Sequence, residues 1–281
     1  VHRVAAGAAA RGGVVDGRYL FVVPWRDVSI VGTSHDPHDG DADGPHDTDA
    51  HALQLLSDAQ RAFPRAGLTP DAVRLVHRGL LPALSGPGAP VALLKESAVI
   101  DHAGDGCAGL VTLLSVRYTT AGHTAREGVG RVCRALGVAT ANHLPPGRMS
   151  SAGFGSVAGL VTDARRRDLP GTTPDTRERL ARAYGSHWAE IASLIDDTPA
   201  LATPLSPTCP TTHAEVVHAV GQECALSLND VLLRRTGAGA AGHPGGAAVE
   251  AAAAVLAASF DWDRTQLAAE VAAFDALYPA R

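Results

Sequence analysis

The stretch LVTLLSVRYTTAGHTAREGVGRVCRALG, Leu110–Gly137, changes its hydrophobic period part-way along. Its first half is an apolar, β-branched run that reads as a strand. Its second half sets Val129, Val132, Cys133 and Leu136 at helical spacing, so a helix follows. A strand feeding straight into a helix commits this part of the chain to an α/β arrangement. The join is Arg117-Tyr118-Thr119-Thr120. Either threonine suits a helix cap, and Arg117 adds a fixed positive charge. The free N–H groups of a helix start meet anions or polar ligand edges. An ordinary capped helix with a surface arginine satisfies the same pattern.

Upstream, GRYLFVVPW and DVSIVGTS read as a hairpin turning at Trp25-Arg26-Asp27. A helix is expected from about Thr48 to Phe63, with Ala52, Leu56, Ala59 and Phe63 on one stripe. DAVRLVHRG, VALLKESAVIDH and LVTLLSV are extended candidates, and AGDGCAG reads as the hairpin loop between the last two. Between Ala141 and Pro174 the pattern dissolves into Pro, Gly, Ser and Arg. Beyond it everything reads as helix, with capping positions at Thr212/Glu215, Ser227/Asp230 and Asp263. The expected fold is therefore an α/β region, residues 1–145, then a linker, 146–173, then an all-α domain, 174–281.

Composition excludes several function classes. Net charge is −5 with no basic block, and aromatic residues are only 4%, so neither nucleic-acid backbone nor stacked bases are served. The four cysteines are far apart with no CxxC pair, which suggests neither a zinc site nor a disulfide framework and fits a reducing, cytoplasmic setting. No apolar run is long enough for a transmembrane helix, and no signal peptide is visible. The chain opens on Val1 with its single methionine at Met149, which fits a truncated or processed product.

Three motifs carry less than they promise. GFGSVA from Gly153 and GAGAAG from Gly237 satisfy a dinucleotide pattern, but neither follows a strand, so both read as loops. SHDPHDGDADGPHDTDAH, Ser34–His51, holds four histidines and six aspartates but matches no metal-binding spacing, so no metal is expected. Basic side chains after apolar runs are more telling. Among 24 basic residues Lys95 is the one lysine, and His77 and Arg78 follow a similar run. Converging, Lys95, Arg78 and Arg117 would make an anion pocket.

The blocks GRYLFVVPWRDVSIVGTSHDPHDGD, FPRAGLTPDAVRLVHRGLLP, LLKESAVIDH, SVRYTTAGHTARE and LNDVLLRRTGAGAAGHPG, in that order, resemble the FAD-dependent glycerol-3-phosphate dehydrogenases across nearly the whole chain. The helical half resembles the C-terminal domain of those enzymes, and their N-terminal glycine-rich FAD loop has no counterpart here. The resemblance implies oxidation of sn-glycerol 3-phosphate to dihydroxyacetone phosphate, with hydride passing to FAD and electrons leaving to quinone or oxygen. It leaves peripheral association with the inner face of the cell membrane open.

The resemblance also assigns residues. The family's Gly-Gly-Lys-Leu-Thr-Thr turn falls on Ser115-Val116-Arg117-Tyr118-Thr119-Thr120. It implies that Arg117 faces substrate and is the catalytic basic residue, while Tyr118, Thr119 and Thr120 lie against the flavin. A substrate-binding arginine of the family corresponds to Lys95. The family's Gly-x-Arg-Pro-Leu block reads Gly79-Leu80-Leu81-Pro82-Ala83, so Leu81 stands where a substrate arginine is expected. Either Arg78 takes over its role or the substrate is another hydroxy or amino acid. A non-catalytic α/β plus helical interaction module is the alternative of a different class.

Overall fold

The computed structural model describes residues 11–38, 49–86, 89–139 and 152–279. It is a mixture of helices and small antiparallel sheets that divides into two compact units. The first unit gathers Val1–Ser34, Asp47–Val76 and Arg148–Arg281; the second holds His35–His46 and His77–Gly147.

The first unit begins with a three-stranded sheet, β1 (Arg11–Val15), β2 (Arg18–Trp25) and β3 (Val28–Gly32), in sequential antiparallel order. Trp25 pairs with Val28, so the expected turn is present. Arg26 adopts a left-handed φ of 51° at its tip. Helix α1 (Asp49–Ala62) lies on this sheet with Leu56 and Ala59 buried, as its stripe predicts. Its Asp58 is also fully buried, and the charge is met by Arg18 from β2 and by Arg61 at 2.7 Å. Burying a carboxylate is tolerated here because two guanidinium groups and the Gln54 amide, at 3.1 Å, satisfy its oxygens.

The same unit contains α3 (Val157–Arg166), α4 (Pro174–Tyr184), α5 (Trp188–Asp197), α6 (His213–Gln222), α7 (Gly246–Phe260) and α8 (Arg264–Asp275). One core joins Leu180, Ile191 and Ile195; another joins Val216, Leu228, Leu232, Leu256 and Phe274. The caps sit where the sequence puts them. Thr212 and Glu215 form a reciprocal capping box, Asp263 accepts from the Gln266 N–H at 2.8 Å, and Ser227 accepts from the Asp230 N–H at 3.2 Å.

Two features differ from the sequence reading. Residues 157–166, read as linker, form α3, started by the Ser156 hydroxyl accepting from the Gly159 N–H and buried through Val161 and Ala164. The stretch read as wholly helical also contains a hairpin, β8 (Pro204–Ser206) and β9 (Cys209–Thr212), too short for its period to register. Most of the His/Asp-rich run, residues 39–48, lies outside the described residues, as does Thr48.

The described residues of the second unit form two hairpins and one helix: β4 (Ala83–Gly86) with β5 (Ala89–Leu93), β6 (Ala98–Asp101) with β7 (Val111–Leu114), and α2 (Ala121–Ala135). The AGDGCAG connection is a hairpin turn, as expected. VALLKESAVIDH is not one strand but two, with Lys95 in the break. DAVRLVHRG forms a 3-10 turn at Pro70–Ala72 and then runs on without strand pairing. No apolar side chain among the described residues of this unit is fully buried.

Candidate functional site

Lys95, Arg78 and the Arg117–Thr120 turn all fall in the second unit. The β6–β7 ladder pairs Ala98 with Leu114 and Asp101 with Val111. Lys95 lies three residues before Ala98 and Arg117 three residues after Leu114, so both fall just beyond the open end of the hairpin. The β4–β5 ladder pairs Ala83 with Leu93, and the Leu94 N–H donates to the Pro82 carbonyl at 2.9 Å, continuing it. One step further the register sets Leu81 opposite Lys95. The ends of the two hairpins thus bring together, in one unit, the flanks of three positions that are 14 and 22 residues apart in the chain. Lys95, Arg117 and Leu81 are exposed, and neither cation makes a hydrogen bond or ion pair with another described residue. Arg78 is exposed on the extended segment that leads into β4.

The turn differs from expectation in one respect. Neither threonine caps α2. Tyr118–Thr120 forms a 3-10 turn behind Arg117, and Thr120 precedes α2 in helical geometry with no side-chain cap. The Thr120 hydroxyl donates to the Arg117 carbonyl at 3.2 Å, as does the Thr120 N–H. A 3-10 turn running straight into a helix leaves no extended residue from which a hydroxyl reaches forward to a first-turn amide. The α2 start therefore has no side-chain acceptor on its N–H groups, and the Tyr118 side chain stands fully in solvent.

Helix α2 holds this turn against the hairpin by its small residues. Thr124 and Gly128 are buried, and a Cβ at Gly128 would meet Leu113 Cδ2 at 2.6 Å. At the other end of the hairpin His102 bridges the turn, with Nδ1 at 2.9 Å from Asp105 Oδ2 and Nε2 at 3.0 Å from Thr112 Oγ1. This clasp fixes the β6–β7 register on which the placement of Lys95 and Arg117 depends. The sequence reading passed over it because a lone histidine in a glycine-rich loop carries no pattern. No group of three or more metal-ligating side chains is assembled among the described residues.

Residues 147–267 match the family described as the C-terminal domain of alpha-glycerophosphate oxidase. A glycerol-3-phosphate dehydrogenase of Synechocystis sp. is 27% identical over 225 residues, covering 79% of this chain and 40% of that protein. The chain is related to the glycerol-3-phosphate dehydrogenases. A glycerol-3-phosphate dehydrogenase of Mycobacterium leprae is 26% identical over 261 residues, covering 92% of this chain and 43% of its own. The fold matches the crystal structure of a Bacillus halodurans glycerol-3-phosphate dehydrogenase complexed with FAD, with a TM-score of 0.73, 21% identity, and coverage of 95% of this chain and 52% of that one. The chain thus spans about two fifths of these sequence relatives and about half of the solved structure. The resemblance read from the ordered blocks, including a C-terminal domain in the helical half, is borne out.

Proposed function

We infer that this chain supplies the substrate-facing and C-terminal parts of a FAD-dependent oxidoreductase that converts sn-glycerol 3-phosphate to dihydroxyacetone phosphate. The observation that carries the reading is that exposed Lys95 and Arg117 flank the open end of one hairpin, in a chain related to glycerol-3-phosphate dehydrogenases. Lysine and arginine as side-chain types are cationic near neutral pH, as recognition of a phosphate dianion requires. Arg117 is the catalytic basic residue facing substrate, Lys95 and Arg78 bind its phosphate, and Tyr118, Thr119 and Thr120 offer backbone to the flavin. The turn bears on that last role through its exposure: the Tyr118 side chain stands fully in solvent, and no side chain caps the α2 start beside it. FAD, when bound, supplies the hydride acceptor. Quinone or oxygen as the final acceptor, and a cytoplasmic site with peripheral attachment to the membrane, belong to the same proposal. No helix among the described residues is long and apolar enough to cross a membrane.

A second reading keeps the flavin and changes the substrate to another hydroxy or amino acid. It is favoured by Leu81, whose register position beside Lys95 offers an apolar side chain where a third cation would tighten a dianion site. The complete flavin-loaded enzyme to which these parts belong separates the two. Removing a charge-assisted hydrogen bond costs about 1.5–3 kcal/mol, or roughly ten- to a hundredfold in kcat/KM. Arg117→Ala and Lys95→Ala are expected to lose that much on glycerol 3-phosphate and much less on uncharged glycerol. Equal losses on both would remove the phosphate-gripping role. Little turnover of glycerol 3-phosphate beside good turnover of a hydroxy acid would favour the second reading.

A further inference from the structure

The glycine-rich loop between the π-helix at Asp230–Arg235 and α7 is held down by its one titratable side chain, in a geometry that a proton must disturb. His243 Nδ1 accepts the Gly245 N–H at 3.0 Å. That bond fixes the tautomer: Nδ1 bears the lone pair, so Nε2 bears the hydrogen and donates it to Asp275 Oδ1 on α8 at 2.9 Å. The imidazole packs edge-on to Tyr278, with ring centroids 4.9 Å apart, and against Phe274 at 5.7 Å. Tyr278 in turn donates its hydroxyl to the Gly239 carbonyl at 2.9 Å, and Arg26 donates to the Gly237 carbonyl at 2.8 Å. The loop is thereby tied to α8, to the segment following it, and to the β2–β3 hairpin.

We propose that His243 is a proton-operated latch on the Gly237–Gly246 loop. A second proton on the ring goes to Nδ1 and points at the Gly245 N–H, turning an acceptor into a second donor. The Gly245 bond is lost, and the start of α7, where Gly245 provides no side-chain cap, is released with it. Charged groups approach the loop from two other segments. Asp275 on α8 faces Nε2. Arg74 lies with the aliphatic part of its side chain beside Gly242. Tyr278 is kept neutral, since burial and then the Asp275 charge push its pKa upward. A proton on Nδ1 is set directly against the Gly245 N–H, which is what couples pH to loop position. Imidazoles as a class titrate across the physiological range.

The test is amide exchange in the whole chain, resolved by NMR between pH 8 and 5. The Gly245 protection factor is read against that of Leu256, which is buried in the middle of α7. Loss of one hydrogen bond predicts that Gly245 protection falls roughly tenfold relative to Leu256 on acidification. His243→Asn keeps an acceptor two residues before Gly245 without a titrating group, so its Gly245 protection is expected to stay flat. Asp275→Asn keeps an acceptor for Nε2–H but removes the charge, so the transition should move to lower pH. Flat protection in the unaltered chain, or an equal fall in His243→Asn, would overturn the latch.

Discussion

In the first unit Leu180, Ile191, Leu232 and Leu256 have no exposed surface, whereas in the second Val129, Val132 and Leu136 stand 56%, 44% and 70% exposed. Val129, Val132 and Leu136 sit at helical spacing yet stay exposed, so periodicity alone does not predict burial. The difference lies in what faces the stripe. Helices α4 to α8 have one another to pack against. Among the described residues of its own unit, helix α2 packs on the two-stranded β6–β7 hairpin, which it contacts through the small side of the helix, Thr124 and Gly128. Hydrophobic spacing says which residues share a face, and tertiary partners decide whether that face is covered.

The comparison is tested most severely at Glu215. Its buried carboxylate accepts from both Arg179 nitrogens at 2.7 and 2.6 Å, from the Tyr184 hydroxyl at 3.2 Å and from the Thr212 N–H at 2.7 Å. Glu215→Ala removes a capping box and leaves Arg179 without its counter-charge, and breaking a buried pair costs about 3–5 kcal/mol. Hydrogen exchange should report that loss in α4 to α6 while leaving α2 unchanged. A loss shared equally by α2 would mean that the two units unfold as one, and the contrast between them would then be one of surface only.

A smaller effect sharpens the contrast within single side chains. Ile191→Ala in the first unit should cost about 2–5 kcal/mol, since it empties a fully buried site. Val132→Ala in the second should stay within about 0.5 kcal/mol, as for other surface changes. Urea titrations followed by exchange in each unit provide the two numbers. A cost above about 2 kcal/mol at Val132 would show that the α2 stripe is covered in solution, by a second molecule or by another part of a longer chain.

Much of this was legible in the sequence. The β2–β3 hairpin, the α1 stripe and the caps at Thr212, Ser227 and Asp263 follow from local chemistry, because each device acts within a few residues. Helix α3 was missed because Gly153, Gly155 and Arg165-Arg166-Arg167 look like linker. Its arginines are instead taken up by carboxylates far along the chain, Arg165 by Asp175 and Glu178, and Arg167 by Asp196. The candidate site shows the same limit. Lys95, Leu81 and Arg117 were each nameable from sequence, but their place at the ends of paired strands is a property of hairpin register, which no single stretch contains. The uncapped start of α2 was unreadable for a related reason: two threonines before a helix look like a cap until the turn geometry is known.

A more modest effect than the core truncation at Ile191 asks whether caps, as well as cores, hold the first unit together. The Asp230 carboxylate at the head of the π-helix is held below the usual carboxylate range. Burial is the largest single influence and raises its pKa, but the Leu226 N–H, the Ser227 hydroxyl and Arg234 together outweigh it. The distances are 3.1 Å to the Leu226 nitrogen and 2.9 Å to Arg234. A carboxyl whose folded pKa is depressed stabilises the fold fully above its unfolded value, near 4 for an aspartate, and the contribution is lost as pH falls through the folded value. Asp230→Asn should therefore destabilise the chain at pH 7 by about 0.5–1.5 kcal/mol, the net worth of one such interaction. The gap from the unaltered protein should close as the pH is lowered below about 4. Urea midpoints measured at pH 7, 5 and 3 give the answer. A gap that stays constant down to pH 3 would mean that the charge contributes nothing, and that the shape of the capping interaction alone supports the helix.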